Sequence, residues 1–335
     1  MKIAIHKSEG FSERWISYCQ DNSIQYKIVN CYDNDIVKQI EDCDALMWHF
    51  FHANAKDFLF AKQLLFSIQK SGKKVFPDFD TVWHFDDKIG QKYLLESIKA
   101  PLVTSYIFYS KKDALLWAED TTFPKVFKLR KGVSSRNVQL VKTKKKAKKL
   151  IKKSFGNGFA QYNGIQNLKD RWRKFRLGKT SFYDVLKGII RFIYTNDFSR
   201  IAGNEKGYVY FQDFIPDNKY DIRIVVIKDR AFGIKRMVRK NDFRASGSGN
   251  IIYKKSEINE ECVKIAFDIN KILKTQSIAF DFVFSKSQIF IVEISFGFAA
   301  KGYDPCEGFW DINLNWHEIN FNPYGWMIEN LFNNE

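Results

Sequence analysis

Hydrophobic residues in the first hundred positions alternate between short strand-like runs and longer helical patterns. The runs KIAIH, QYKIVN and DALMWHFF predict buried strands, and DFLFAKQLLFSIQKSG has the spacing of an amphipathic helix. Strands that alternate with helices are typical of a parallel sheet covered by helices. We therefore predict an α/β domain over residues 1–100, which ends with the helix DDKIGQKYLLESIK and the break at Pro101.

From residue 101 onward the pattern changes to antiparallel strand pairs, which indicates an α+β region. PKVFKL and NVQLVK flank a glycine-containing turn, and a lysine-rich helix is predicted from about Lys144 to Lys153. A further helix, YDVLKGIIRFIY, is predicted inside a less regular segment at 155–207. Five more strands are predicted at GYVYFQDFI, DIRIVVIK, RAFGIKRMV, SIAFDFVF and QIFIVEIS, with the amphipathic helix EECVKIAFDINKIL between the third and the fourth.

Composition excludes several protein classes. No run approaches the roughly 20 apolar residues that a membrane helix needs. The five cysteines never form a C-x-x-C pair, so neither a disulfide framework nor a zinc site is indicated. We expect a cytoplasmic protein with reduced cysteines and no membrane span.

The formal charge of +16 is concentrated in one segment. Between Lys142 and Arg191 there are sixteen basic residues and only two acidic ones, Asp170 and Asp184. For the basic insertion at 155–207 we expect recognition of an anionic partner, such as a uronic-acid sugar, a sugar nucleotide or an acidic polymer. For the lysine helix we favour a solvated face.

Two acidic residues stand near the ends of adjacent strand patterns, Asp281 in SIAFDFVF and Glu293 in IFIVEIS. Carboxylates inside apolar strands are costly unless a cation compensates them. Side by side, they would suit Mg²⁺ that bridges nucleotide phosphates. The alternative is that both project from the solvated face of an antiparallel hairpin.

Two basic clusters have the residue types that phosphate groups require. In PKVFKLRKGVSS, Lys128 ends a strand and precedes a Gly/Ser turn, which would form a flap over phosphates although no Walker motif is present. In DIRIVVIKDRAFGIKRMVRKNDFRASGSGN, several arginines converge with backbone donors, as a transferred phosphoryl group needs. Taken alone, the flap pattern is common and the arginine cluster would be a solvated face.

In this order and spacing, the three clusters resemble the ATP-grasp superfamily, in particular carboxylate–amine ligases of the ribosomal-protein S6 glutamate ligase type. The resemblance extends from about Asp87 to Ser295. It implies an N-terminal pre-grasp α/β domain at 1–100 followed by a two-lobed ATP-grasp fold. The small lobe would span 101–210, with a basic insertion at about 155–207, and the large lobe 211–335.

The resemblance also assigns roles to individual residues. The catalytic arginines would be Arg223, Arg239 and Arg244, the last facing the γ-phosphate and the acceptor carboxylate. Mg²⁺ would be held by Asp281, Glu293 and Ser295, although the family usually has asparagine where this chain has Ser295, and a hydroxyl is a poorer ligand. The residues that would contact ATP are Lys88, Lys128, Gly132, Ser134, Ser135, Gln212, Asp213, Phe214, Ile215 and Asp221.

The activity implied is ATP- and Mg²⁺-dependent ligation, in which a carboxylate is activated as an acyl phosphate and joined to an amine. A kinase on the same fold and a non-catalytic protein that binds an anionic polymer are the alternatives. The resemblance also implies a homodimer. His49 and His52 either face the site or are packing residues. A sugar-linked substrate would stack on the aromatic residues Phe309, Trp310 and Trp316 of the tail, and its hydroxyls would bind Asp311 and Asn313. The alternative is that these aromatic residues pack in the core.

Overall fold

The structure of the chain is a computed structural model. It contains two compact units, the larger formed by residues 1–51, 59–103 and 215–335 and the smaller by residues 52–58 and 104–214. The domain boundaries inferred from the sequence stay predictions. The residues that the structure describes are 1–51, 54–131, 138–160, 168, 172, 175–176, 181–183, 201, 203–239, 242–245, 247–286 and 288–332.

The larger unit begins with a four-stranded parallel sheet in the order β2-β1-β3-β4. Its strands alternate with helices, so the α/β prediction for the first hundred residues is confirmed. The strands are β1 (Lys2–His6), β2 (Gln25–Val29), β3 (Ala45–Met47) and β4 (Lys74–Phe76). The helices are α1 (Ser12–Asp21), α2 (Ile36–Gln39), α3 (Ala55–Lys70), α4 (Phe79–Val82) and α5 (Lys88–Ser97).

An antiparallel sheet completes the larger unit. Its order is β15-β14-β11-β12-β16-β17, and β13 also pairs with β12. The strands are β11 (Tyr220–Ile227), β12 (Arg230–Met237), β13 (Ile251–Ile252), β14 (Ile278–Ser285), β15 (Gln288–Ser295), β16 (Phe309–Asp311) and β17 (Trp316–His317). Helices α8 (Glu260–Leu273) and α9 (Pro323–Phe332) belong to the same unit.

The two sheets of the larger unit share one hydrophobic core. Ile3 and Ile5 of the parallel sheet cluster with Val225 and Phe232 of the antiparallel sheet. The opposite face of the antiparallel sheet packs against α8 and α5 in a second core, which includes Phe267. Because both sheets contribute to one core, residues that follow β3 lie close to residues that follow β15.

The smaller unit is built on an antiparallel sheet in the order β5-β10-β6-β7. Apolar residues on one face, such as Phe127 and Phe211, pack with α6 and α7. The elements are β5 (Ser105–Phe108), α6 (Lys111–Asp120), β6 (Lys125–Lys128), β7 (Gln139–Val141), α7 (Lys144–Ser154), β8 (Phe159–Ala160), β9 (Asn204–Glu205) and β10 (Val209–Asp213). The helix predicted at 183–194 lies, except for residue 183, outside the described residues.

Polar side chains cap several of the helices at their first turn. Asp87 accepts hydrogen bonds from the backbone N–H groups of Ile89 and Gly90, and Thr143 accepts one from Lys146. Such caps satisfy N–H groups that have no partner inside the helix. Among the described helices, none has both the length and the apolar character needed to cross a bilayer.

Candidate active site

Three charged residues form a row across the antiparallel sheet. Arg223 of β11 lies directly opposite Asp281 of β14, and Asp281 lies opposite Glu293 of β15. Residues directly opposite in antiparallel strands project to the same face. The register of the β14–β15 pair shifts at a bulge between Asp281 and Phe282. Asp281 is buried, so the alternative that both carboxylates project into solvent does not hold for it.

Two arginines contact the Asp281 carboxylate. Nη2 of Arg236 lies 2.9 Å from its Oδ1, and Nε of Arg223 lies 3.4 Å from the same oxygen. Arg236 also donates hydrogen bonds to both carboxylate oxygens of Asp221, at 2.6 and 2.9 Å. Burial acts to lower the pKa of Arg236, but Asp281 and Asp221 outweigh it and raise that pKa above its ordinary value. These contacts link Arg223, Asp281, Arg236 and Asp221 into one buried network of charged side chains.

Asp221, which the resemblance assigns to the nucleotide, is buried against Arg236. Burial raises the pKa of the Asp221 carboxyl to about 6; Arg236 opposes the shift, and the neighbouring Asp281 adds to it. Its contact with a nucleotide stays a prediction. What the structure adds is that Asp221 holds the guanidinium that also contacts Asp281.

Lys88, the first residue of α5, forms an ion pair with Glu293. Its Nζ lies 3.2 Å from Oε1 of the carboxylate. Burial acts to lower the pKa of Lys88, but Glu293 and the acidic residues before α5 raise it above its ordinary value. Gln91, one turn later, donates to the backbone carbonyl of Ile294 at 2.8 Å, so α5 is tied to the strand that carries Glu293.

The chain after β15 turns tightly beside the charged row. The Ser295 hydroxyl donates to the carbonyl of Gly297 at 3.1 Å and accepts from its N–H at 3.3 Å. Arg223 contacts the same carbonyl at 3.5 Å. A Cβ at position 297 would lie 3.1 Å from Nε2 of His49, so His49 borders this turn. Its ring also stacks on Phe11 at 3.9 Å.

The two remaining predicted arginines lie in the loop that follows β12. Asp242 accepts from Nε of Arg244 at 2.9 Å and from its Nη2 at 2.7 Å. The backbone N–H of Asp242 donates to the carbonyl of Arg239 at 3.0 Å. Burial acts to raise the pKa of Asp242, but Arg244 dominates and lowers it. In this state Arg244 is held by its own loop.

In the smaller unit, Lys128 and Gln212 are hydrogen-bonded to each other. Nζ of Lys128 donates to Oε1 of Gln212 at 2.6 Å, and Nε2 of Gln212 donates to Ser105 Oγ at 3.1 Å. The Asp213 carboxylate instead pairs with Lys125 at 2.5 Å. Both side-chain ends of Gln212 are thus engaged with protein groups. Phe214 and Ile215 follow β10 and are partly buried, and the predicted flap residues Gly132, Ser134 and Ser135 lie outside the described residues.

The aromatic tail packs mainly inside the larger unit. Trp310 is 1% exposed and contacts Trp316 with ring centroids 4.5 Å apart. The Asp311 carboxylate accepts from the backbone N–H groups of Asn313 and Asn315, which closes the turn between β16 and β17. Core packing is thus confirmed for Trp310, and Asp311 serves a local turn.

Comparison of the chain with known proteins identifies its fold. Residues 195–315 match the family model of the RimK-like ATP-grasp domain. The chain has an ATP-grasp fold. No curated protein has a significant sequence match to it. Similar solved structures include the biotin carboxylase domain of 2-oxoglutarate carboxylase from Hydrogenobacter thermophilus, at 10% identity and a TM-score of 0.63, covering 99% of this chain and 70% of that one.

Two further ATP-grasp neighbours carry ligase or synthetase names. One is N5-carboxyaminoimidazole ribonucleotide synthetase from Thermotoga maritima, at 13% identity and a TM-score of 0.61, covering 99% of this chain and 76% of that one. The other is D-alanine–D-alanine ligase from Bacillus anthracis complexed with ATP, at 12% identity and a TM-score of 0.53, covering 91% of each chain. Identities this low establish the ATP-grasp fold and leave the substrates open.

Sequence reasoning about the ATP-grasp site missed the central position of Arg236 and the position of Tyr303. Tyr303 is buried beside Phe298, with ring centroids 5.1 Å apart. Burial raises the pKa of Tyr303 to about 12, against the effect of Arg223 and Arg236 nearby. Arg236 was detectable as one arginine among several in a strand, because Asp221 and Arg236 are aligned by the β11–β12 hairpin. No sequence signal marked Tyr303.

Proposed function

We propose that the protein is an ATP- and Mg²⁺-dependent ligase that activates a carboxylate as an acyl phosphate and joins it to an amine. The proposal rests on one observation. Asp281 lies directly opposite Glu293, and both Arg223 and Arg236 form ion pairs with the Asp281 carboxylate. Carboxylates for a metal and arginines for developing negative charge are the two requirements of phosphoryl transfer. The ATP-grasp fold supports the same reaction class.

The donor set of Asp281 and Glu293 fits Mg²⁺. Among the described residues no group of three or more histidine, cysteine or acidic side chains could hold a metal. Two carboxylates are nevertheless sufficient, because Mg²⁺ usually takes one or two carboxylates and completes its shell with phosphate oxygens and water. Ser295, whose hydroxyl contacts Gly297, would contribute weakly at most. When bound, the ion would neutralise phosphate charge and orient the triphosphate.

The protein's own cations would carry the rest of the work. Arg223 contacts both the Asp281 carboxylate and the Gly297 carbonyl in the turn after β15, so two groups orient its guanidinium. We assign Arg223, Arg239 and Arg244 to charge neutralisation on the transferred phosphoryl group and on the acceptor carboxylate. For Arg244 this requires exchange of Asp242 for the anion.

The nucleotide contacts that the resemblance implies belong to the same proposal. Lys88, which is paired with Glu293, would move from that carboxylate to a phosphate when the metal takes Glu293. In the smaller unit Lys128 would contact phosphate, and Gln212 would orient Lys128 through their 2.6 Å hydrogen bond. The loop with Gly132, Ser134 and Ser135 would cover the phosphates. The adenine site would be lined by Gln212, Asp213, Phe214 and Ile215.

The experiment measures ADP formation from ATP and Mg²⁺ while carboxylates and amines, with sugar-linked acids among them, are supplied singly and in pairs. A ligase requires both substrates for full turnover and yields ADP, phosphate and an amide. Asp281→Asn and Glu293→Gln should each lower the rate by about 100-fold or more. Asp268→Asn, an exposed carboxylate change on α8, is the matched control and should leave the rate unchanged.

Other outcomes identify other functions. ADP formation with a hydroxyl acceptor and no need of an amine would identify a kinase. Absence of nucleotide affinity in the unmodified protein would refute the proposal outright and favour a non-catalytic role.

A further inference from the structure

The smaller unit carries essentially all of the net charge of the chain. It contains 26 lysines and arginines against 9 aspartates and glutamates, a formal charge of +17. The larger unit contains 28 basic and 29 acidic residues, so it is close to neutral. Charge segregation on this scale gives one unit a strongly positive field while the other has almost none.

Helix α7 presents part of this charge as a continuous surface. The buried residues of the helix are Ala147, Leu150, Ile151 and Ser154, and the first three belong to the core of the smaller unit. Every other residue of the helix is a lysine. We call this surface the α7 lysine face: Lys144, Lys145, Lys146, Lys148, Lys149, Lys152 and Lys153.

In the part of the chain that the structure describes, ion pairs neutralise one edge of the α7 lysine face. Glu119 of α6 forms ion pairs with Lys144, at 3.2 Å, and with Lys148. Lys145, Lys149 and Lys152 are exposed and form no ion pair within the described part of the chain. Among the described residues, the charge of these three lysines is therefore not compensated by an ion pair.

The arrangement is unfavourable for the helix itself. Its first turn contains Lys144, Lys145 and Lys146 and no acidic residue, whereas the amino end of a helix favours negative charge. Lys145 and Lys149 stand four residues apart, and like charges at that spacing destabilise a helix. If the face of the helix were only solvated, glutamates among the lysines would remove both of these unfavourable effects. Local preferences that are violated without a structural gain indicate a functional constraint.

We propose that the α7 lysine face docks the protein on an anionic lipid surface. A layer of anionic headgroups is attracted by point charges alone, which is what lysines supply. Because the apolar residues of α7 are already in the core, the helix would adsorb without inserting.

Nucleic acid is a weaker match to the same surface. Base readout in a groove relies on arginine, asparagine or glutamine, and single strands stack on aromatic side chains. α7 contains none of these residue types. The lipid proposal does not depend on the ligase proposal, because adsorption requires no nucleotide or metal.

The test is flotation of the full-length protein with vesicles of phosphatidylcholine alone or with added phosphatidylglycerol. The variant K145Q/K149Q/K152Q removes three lysines that form no ion pair with any described residue. The matched control K38Q/K264Q/K271Q removes three exposed lysines from the larger unit. Each lysine near an anionic surface changes partitioning roughly fivefold, so the α7 variant should bind about 100-fold more weakly and the control within about twofold of the unmodified protein.

Three results would overturn the proposal. The first is equal binding to neutral and anionic vesicles, and the second is an equal loss in both triple variants. The third is tighter binding to single-stranded RNA or duplex DNA than to anionic vesicles, with the same dependence on α7. Circular dichroism of both variants, which change only exposed side chains, checks that the fold is intact.

Discussion

Replacement of Arg236 by methionine should destabilise the larger unit strongly. Arg236 donates to Asp221 at 2.6 and 2.9 Å and contacts Asp281 at 2.9 Å. All three residues are at most 8% exposed. Methionine keeps much of the volume and the apolar stem of arginine, so the change removes mainly the charge and its hydrogen bonds.

The magnitude follows from the two carboxylates that Arg236 serves. Removal of one partner of a buried ion pair costs roughly 3–5 kcal/mol, because the other charge stays buried without compensation. Arg223 stays 3.4 Å from Asp281 and compensates it in part, so most of the cost falls on Asp221. We expect a loss of about 4 kcal/mol, a large share of the 5–15 kcal/mol that stabilises a typical domain.

Urea unfolding followed by circular dichroism at neutral pH measures the loss. The matched control is Arg14→Met, since Arg14 contacts Asp304 at 2.7 Å but both side chains are more than 40% exposed. Exposed pairs contribute about 0–1 kcal/mol, so the control should be nearly neutral. Addition of Asp221→Asn to Arg236→Met should recover about 1–2 kcal/mol, because it removes the uncompensated charge. A loss in Arg236→Met no larger than that of the control would refute the reasoning.

Three further outcomes are expected. Burial lowers the pKa of His84 from 6.5 to about 4, so the unfolded chain takes up the proton first and stability falls as the pH drops from 6.5 towards 4. His84→Phe should remove about 3 kcal/mol of that loss in urea unfolding at the two pH values, and an unchanged pH dependence would contradict it. Ser295→Asn should lower the Mg²⁺ concentration for half-maximal ADP formation about tenfold, since an amide carbonyl is the better ligand; no change would argue against Ser295 as a metal-proximal residue. Gly10→Ala should cost at least about 2 kcal/mol in thermal or urea unfolding, because Gly10 has φ +106° and a Cβ there would lie 2.5 Å from Nδ1 of His49. Stability equal to that of the unmodified protein would contradict this expectation.

Several parts of the candidate site were accessible from strand patterns. Asp281 and Glu293 each stand in a run of apolar residues with a clear strand period, and the short connection between those runs allows only hairpin pairing. Their direct opposition in the structure follows from that pairing together with the bulge after Asp281. Lys88 likewise stands at a helix start for a local reason, because Asp87 caps the first turn of α5. In each case the information is local, within one hairpin or one helix turn.

Other parts depended on contacts that no local pattern encodes. Lys88 reaches Glu293 although some two hundred residues separate them in the chain, and Gln91 bonds to Ile294 over a similar separation. The position of His49 beside Gly297 exists only because the parallel and antiparallel sheets share one core. Arg244, which the motif directs towards phosphate, is instead held by Asp242 in this state.

Neighbouring residues predict the longer strands, several helices and the chemical types at the site, because strand and helix periods are local properties. The short strands β16 and β17 and helix α9 were not predicted. The tertiary structure alone decided which charges neutralise one another. Arg236 rather than Arg223 makes the closer contact to Asp281, and Asp221 anchors it. That choice depends on strand register and burial, since a charge removed from water must find its partner among whichever groups the fold brings within hydrogen-bonding distance.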